Sequence, residues 1–248
     1  MSVDLAGKRI ILTGGATGIG RATALRVAAF GARVAVFDVS DEAGIDTVND
    51  INEAGGNARY WHVDVLDSAA VSGGVSAASQ WLDGVDVLIH LAGVLQGASV
   101  ELDEFPEATW DTVLDVNLRG TFLVAKHVTA VMKKQRSGVI ILTSSGAGVL
   151  GGSSSFAYGS SKGGVHGLAL VMQAQLEKYG IRVNDILPGA VNTPLKVAQV
   201  KLSYEKSGDK ESYDKTMSGL VSPDDVAKVF AWVASDDAKL LRGSVRTA

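Results

Sequence analysis

At 248 residues, with 46% apolar and 20% charged positions, the chain has enough nonpolar material for a large buried core and too little charge for a disordered or fibrous one. A net charge of -4 with scattered basic residues gives no field for a phosphate backbone, and the lack of cysteine removes disulfides, thiolate zinc sites and thiol nucleophiles. The longest apolar runs, such as Val139-Ile140-Ile141-Leu142, fall far short of the roughly 20 residues a bilayer demands, and no leader pattern precedes the first strand, so a cytoplasmic protein without nucleic-acid or membrane partners is expected.

From Arg9 onward, short β-branched runs alternate with longer amphipathic stretches, the pattern of repeated strand, helix, strand units around a parallel sheet. Six runs read as strands: Arg9 to Leu12, Arg33 to Phe37, Ala58 to His62, Val85 to His90, Val139 to Thr143 and Arg182 to Leu187. Several are nearly free of polar residues, which marks strands covered on both faces. Helices are predicted over Gly18 to Phe30, Asp41 to Ala54, Asp67 to Trp81, Pro106 to Lys134 and Tyr158 to Tyr179. Segment 193–219, rich in Lys, Ser, Tyr and Glu, reads as a mobile, partly helical lid. A last helix begins at Ser222-Pro223-Asp224-Asp225, where serine caps, proline suits the first turn and the acids favour the dipole.

Thr13-Gly14-Gly15-Ala16-Thr17-Gly18-Ile19-Gly20 directly follows the first strand and opens the first helix. Glycines there permit a tight turn and close backbone approach. The helix start presents unpaired N–H groups at the positive end of the dipole, so a pyrophosphate can sit there without a charged side chain. About twenty residues further on, Phe37-Asp38-Val39 places a carboxylate where an adenosine ribose would lie. As a ribose ligand Asp38 accepts from both hydroxyls; the competing reading makes it only the opener of the turn before Ser40-Asp41. A 2′-phosphate would meet a like charge that neither Thr17 nor Val39 offsets, which favours NAD over NADP. The expected architecture is therefore a single three-layer, Rossmann-type α/β domain over residues 1–248, with a doubly wound parallel sheet.

Tyr158-Gly159-Ser160-Ser161-Lys162 opens a helical pattern in which positions four apart share a face. A phenol with a pKa near 10 is a poor base at neutral pH, but an adjacent ammonium and a ribose hydroxyl favour the phenolate and make proton exchange with an alcohol feasible. Taken alone, the same pair also fits a rim tyrosine and a solvated lysine.

With these motifs in place, the sequence resembles the short-chain dehydrogenase/reductase family, in its smaller subgroup with Thr-Gly-x-x-x-Gly-x-Gly and Tyr-x-x-x-Lys. The likeness is collinear over almost the whole chain and adds Asp64-Val65, Ala92-Gly93, Asn117, Ser144-Ser145, Pro188-Gly189 and Thr193. It implies an oxidoreductase exchanging hydride between nicotinamide and a secondary alcohol or ketone, with no metal. Tyr158 would be the general acid/base, and Lys162 would hold the ribose and lower the tyrosine pKa. Ser145, preferred over Ser144 by its spacing from Tyr158 and by strand alternation, would hydrogen-bond the reacting oxygen. Asn117 would anchor a water joining Lys162 to solvent. For the cofactor, Gly14, Thr17, Gly18, Ile19 and Gly20 would meet the phosphates, Asp38 and Val39 the ribose end, and Asp64 and Val65 the adenine. Leu91, Ala92 and Gly93 would line the next ribose, while Val191 and Thr193, after the Pro188-Gly189 turn, would hold the nicotinamide carboxamide.

Two features depart from the family pattern. His90-Leu91 stands where Asn-Asn is usual, and His90 reads as a satisfied histidine at a strand end. The tail from Leu241 to Ala248 lacks the usual Asp-Gly-Gly turn, so the seventh strand would be lost or disguised and a sheet edge left open. A homodimer or homotetramer is expected, with the helix containing Trp110, Phe122 and Val124 as the candidate subunit face. Pocket walls are expected from Val94-Leu95-Gln96, Gly151 to Phe156 and Leu195 to Tyr213, with Lys196, Lys201 and Lys206 read as solvated lid charges and attraction of an anionic substrate as the alternative. The alternatives are an NADP-linked 3-oxoacyl-type carbonyl reductase, which Asp38 opposes, and a non-catalytic dinucleotide-binding scaffold or sensor, which the intact tetrad opposes.

Overall fold

A computed structural model describes residues 3–247; Met1, Ser2 and Ala248, on which the readings of leader and tail partly fall, lie outside the described residues. Seven strands form one parallel sheet: β1 (Arg9–Thr13), β2 (Arg33–Asp38), β3 (Asn57–His62), β4 (Val87–His90), β5 (Gly138–Thr143), β6 (Ile181–Leu187) and β7 (Gly243–Arg246). Their order is β3-β2-β1-β4-β5-β6-β7. The helices are α1 (Gly18–Ala29), α2 (Asp41–Glu53), α3 (Ser68–Leu82), α4 (Glu107–Leu114), α5 (Gly120–Gln135), α6 (Gly146–Val149), α7 (Phe156–Leu176), α8 (Pro194–Ser207), α9 (Lys210–Ser218) and α10 (Pro223–Ala234). Among the described residues, no helix is long and apolar enough to cross a membrane.

Strand alternation produces the three layers, because successive side chains leave the sheet on opposite faces. Ile10, Leu12, Val34, Val36 and Ile89 enter one core with Val27 of α1, Val48 and Ile51 of α2, and Phe230 of α10. Ile11, Ala35, Phe37, Leu88 and Ile140 enter the other, with Val71 and Val75 of α3, Val128 and Met132 of α5, and Val165 of α7. Val124, expected on a subunit face, belongs to this second core and is fully buried, whereas Trp110 and Phe122 are exposed. β4 and β6 are buried along their whole length, as two-sided coverage requires.

The predicted six-stranded sheet is corrected by β7, which pairs in parallel with β6 from Asn184↔Gly243 to Leu187↔Arg246. Its sequence is short and alternates half-buried with exposed residues, so it carries little apolar signal of its own. Neighbours hold it instead: Asn184 Nδ2 donates to the Gly243 carbonyl (2.8 Å), Gly243 N donates to Gln173 Oε1 (3.0 Å), and Ser244 Oγ donates to Asp185 Oδ1 (2.5 Å). The single long helix expected from Pro106 is also revised, because a π-helical turn at Asp115–Arg119 joins α4 to α5. Segment 193–219 folds mainly as α8 and α9. Since β1 lies between β2 and β4, strand order reverses there, and a crevice opens at the carboxyl ends of β1 and β4.

Candidate active site

The chain leaves β1 through Gly14 at φ 71°, where a Cβ would stand 2.6 Å from Ala92 N. A Cβ at Gly20 would collide with the Gly14 carbonyl oxygen. Glycine at these two positions thus lets the turn, the start of α1 and the loop after β4 close on one another. Thr17 stands at the N-cap of α1 without a side-chain cap hydrogen bond, so the first-turn N–H groups lack a side-chain partner beside the crevice. This donor set suits a diphosphate.

At the end of β2, Asp38 accepts from Ala16 N (2.9 Å), Val39 N (2.8 Å) and Ser40 N (3.1 Å). The turn-opening reading of Asp38 is therefore real, but the residue also lines the crevice. Three of its roughly four acceptor sites are in use, which leaves acceptor capacity on the crevice wall. Asp64 likewise accepts from Leu66 N (2.9 Å) and lies with Val39 and Val65 on the same wall.

The other end of the crevice is built from side chains. β5 delivers two serines in opposite senses: Ser144 Oγ is buried and donates to Asp185 Oδ2 (2.5 Å), whereas Ser145 caps α6, its Oγ accepting from Ala147 N (3.2 Å), and lines the cleft with Tyr158. Tyr158 lies in the first turn of α7, whose cap is Ser155; Ser155 Oγ accepts from Tyr158 N (3.2 Å) and donates to the Gln96 carbonyl (2.6 Å). One turn later, Lys162 is buried, donates to the Thr143 carbonyl (2.8 Å) and holds its ammonium 5.8 Å from the Tyr158 ring centroid.

Burial pushes the Lys162 ammonium down to about 8. Burial also pushes the Tyr158 phenol up, opposed by the Ser145 hydrogen bond. The net direction for Tyr158 is upward, because desolvation disfavours the phenolate.

Asn117, in the π-helical turn, stands behind the wall. Its Oδ1 accepts from Val94 N (2.8 Å), and its Nδ2 donates to the Val94 carbonyl (2.9 Å) and Ser161 Oγ (3.0 Å). A Cβ on Gly93 would lie 3.1 Å from Asn117 Oδ1 and 3.4 Å from Lys162 Nζ, so all three meet at one point. Both amide hydrogens are committed, and the side chain visibly pins the Val94 loop.

His90 is only half satisfied. Thr13 Oγ1 accepts from Leu91 N (3.2 Å) and Ala92 N (3.3 Å), so its own hydrogen goes to His90 Nδ1 at 2.8 Å. The imidazole proton then sits on Nε2, which is buried without a hydrogen-bond partner among the described residues. Burial, with Lys162 adding repulsion, pushes His90 down to about 3 and keeps it neutral.

Every residue assigned to the dinucleotide lines this one cleft of about 830 Å³, together with Ser145; Pro188, Gly189, Val191 and Thr193 form its side toward α8. Val94, Leu95, Gly151, Gly152, Ser153, Ser154, Leu195, Lys196 and Gln199 also line it, while Gln96, Ser155 and Phe156 do not reach it. Thr13, Thr143, Ser155 and Ser161 position the site but were not singled out from sequence; only their places beside the motifs marked them. Lys196, expected to be solvated, is half-buried on the cleft wall.

The sequence pattern of the short chain dehydrogenase family matches residues 8–202. Tropinone reductase-like 2 from Erythroxylum coca is 37% identical over 96% of this chain and 88% of its own length. The 2,5-dichloro-2,5-cyclohexadiene-1,4-diol dehydrogenase of Sphingobium indicum is 35% identical, over 99% and 96%. Among solved structures, NAD+-bound xylitol dehydrogenase superposes with a TM-score of 0.93 at 31% identity, covering 98% of both chains. Levodione reductase does so at 0.91 and 30%, covering 97% and 96%. The chain belongs to the short-chain dehydrogenase family, oxidoreductases that use a nicotinamide dinucleotide.

Proposed function

We propose that the protein is an NAD-dependent dehydrogenase/reductase interconverting a small secondary alcohol and its ketone. The observation that carries this reading is the convergence of Ser145, Tyr158 and Lys162 at one end of a cleft whose other end holds the uncapped start of α1 and Asp38. NAD, when bound, accepts the hydride in oxidation and returns it in reduction. The residues that would hold it are Gly14, Thr17, Gly18, Ile19 and Gly20 at the phosphates, and Asp38, Val39, Asp64 and Val65 at the adenosine. Leu91, Ala92, Gly93, Lys162, Pro188, Gly189, Val191 and Thr193 would serve the nicotinamide riboside.

In oxidation the Tyr158 Oη takes the hydroxyl proton and in reduction it returns it. Ser145 Oγ donates to the substrate oxygen as negative charge grows there. Lys162 holds its charge beside Tyr158, and Asn117 fixes the Val94 loop that walls both. α8 and α9 act as the lid over the substrate. Trp110 and Phe122 remain as exposed apolar side chains for a homodimer or homotetramer contact.

The choice of NAD rests on charge. Among the described residues, the only basic ones lining the cleft are Lys162 and Lys196, neither beside Asp38, so a 2′-phosphate would meet a carboxylate with no cation to offset it. Likeness to a protein solved with NAD+ supports the same choice. Tryptophan-fluorescence titrations should give tighter binding of NAD+ than NADP+, and a panel of polyols, cyclic diols and hydroxy acids should yield NADH with at least one member. Tighter binding of NADP+ would refute the cofactor choice, and loss of dinucleotide binding altogether would refute the whole reading.

A further inference from the structure

Lys196 is the one basic cleft residue that the proposed chemistry leaves without a role. The acids of the cleft, Asp38 and Asp64, lie at the adenosine end, so the cleft is polarised, with Lys162 and Lys196 toward the reactive end. Lys162 is already bonded to Thr143 and faces Tyr158. Lys196 Nζ donates to the neutral Gln199 Oε1 (2.7 Å), while Gln199 Nε2 donates to Ser154 Oγ (3.0 Å) on the loop before α7. Lys196 takes part in none of the ion pairs among the described residues. Two of its three N–H donors therefore have no protein partner. Burial lowers its pKa, the mark of a desolvated cation without a counter-charge. By contrast, Lys201 and Lys206 are exposed, and Lys206 bonds the Ser99 carbonyl (3.2 Å).

We infer that Lys196, oriented by Gln199, is the specificity-determining cation of the substrate pocket, and that the substrate is a hydroxy acid or oxo acid whose carboxylate it receives while the reacting oxygen lies at Ser145 and Tyr158. The inference rests on the oxidoreductase reading above. Apolar Val94, Leu95 and Leu195 would cover the carbon skeleton between the two polar points. A carboxylate meeting Lys196 would gain a charge-assisted hydrogen bond in a partly dry site, and its neutral ester would lose the charge while keeping the shape.

The test uses the full chain with NAD+ and short β- and γ-hydroxy acids, open and cyclic, each beside its methyl ester. The acids are expected to exceed their esters in kcat/KM by about tenfold to a hundredfold. That preference should collapse toward unity in Lys196→Met, mainly through KM, and largely survive in Lys196→Arg, with NAD+ affinity unchanged in both. Esters or neutral alcohols used as well as the acids would overturn the inference and leave the oxidoreductase reading standing. So would an acid preference that survives Lys196→Met. A parallel loss of NAD+ affinity in Lys196→Met would place the cation on the cofactor phosphates and also overturn it. If no probe yields NADH, the substrate class falls; only a failure to bind NAD+ as well brings down the reading beneath it.

Discussion

The two ends of the cleft are made of different material. The end proposed for the dinucleotide is backbone: glycines that admit close approach, the uncapped amides of α1, and a carboxylate held by three peptide N–H groups. The end proposed to be reactive is side chain: Ser145 from the end of β5, Tyr158 and Lys162 from α7, Asn117 from the π-helical turn, and Lys196 from α8. A backbone site fails when volume is added to it, whereas a side-chain site fails when one functional atom is removed.

The largest expected effect sharpens this contrast. Tyr158→Phe removes one oxygen and should lower kcat by about 10³-fold or more, with NADH affinity in a fluorescence titration barely altered. Gly20→Ala should do the reverse. Its methyl meets the Gly14 carbonyl, so urea unfolding should show a loss of about 3 kcal/mol, and dinucleotide binding should weaken even though every reactive side chain remains.

Lys162→Met separates function from stability. A lysine whose folded pKa is depressed from 10.5 to about 8 destabilises the fold in full below about 8, and the cost fades as pH rises to 10.5, where the unfolded chain also loses its proton. The methionine variant should therefore be inactive yet more stable by about 2 to 3 kcal/mol at neutral pH, with the gain shrinking through that alkaline window. Equal gains at pH 7 and pH 11 would contradict it.

The smallest effect concerns His90. Its folded value of about 3, against 6.5 unfolded, leaves no cost above 6.5, and stability is lost as pH falls from there toward 3. Between pH 7 and pH 5 this group should account for about 2 kcal/mol of acid destabilisation, which His90→Asn should remove. An unchanged acid midpoint in that variant would show that the ring is not held neutral in the fold.

The same division explains what could be read from the sequence. Strands such as Ile10-Ile11-Leu12 and the glycine turn announce themselves because burial on two faces and close backbone approach each demand particular residue types locally. The expectation of Ser145 rather than Ser144 rests on local alternation, and the two side chains do differ in partner, Ser144 Oγ meeting Asp185 and Ser145 Oγ the Ala147 N–H. β7 was not legible, because Gly243 to Arg246 is half polar and is held by Asn184 and Asp185, about sixty positions earlier. The π-helical turn is a one-residue change in hydrogen bonding with no compositional signature. Lys196 could not be told from Lys201 and Lys206 as a solvated or an anion-binding charge, since what sets it apart is the Ser154 loop, about forty positions earlier, that meets its helix through Gln199. Val124 was misplaced by a helix face read without the sheet beneath it.

One contact reaches beyond its own neighbourhood. The carboxylate of Asp185, almost wholly buried, is shared by Ser144, His166 and Ser244, so the final strand is tied to the residue immediately preceding Ser145. Proteolytic clipping just before Gly243 would strip that acid of a donor and open it to water. The chain's far end is in this sense wired to the cleft: a polypeptide shortened there keeps Ser145, Tyr158 and Lys162 and loses one of the ties on the acid that holds their neighbour Ser144.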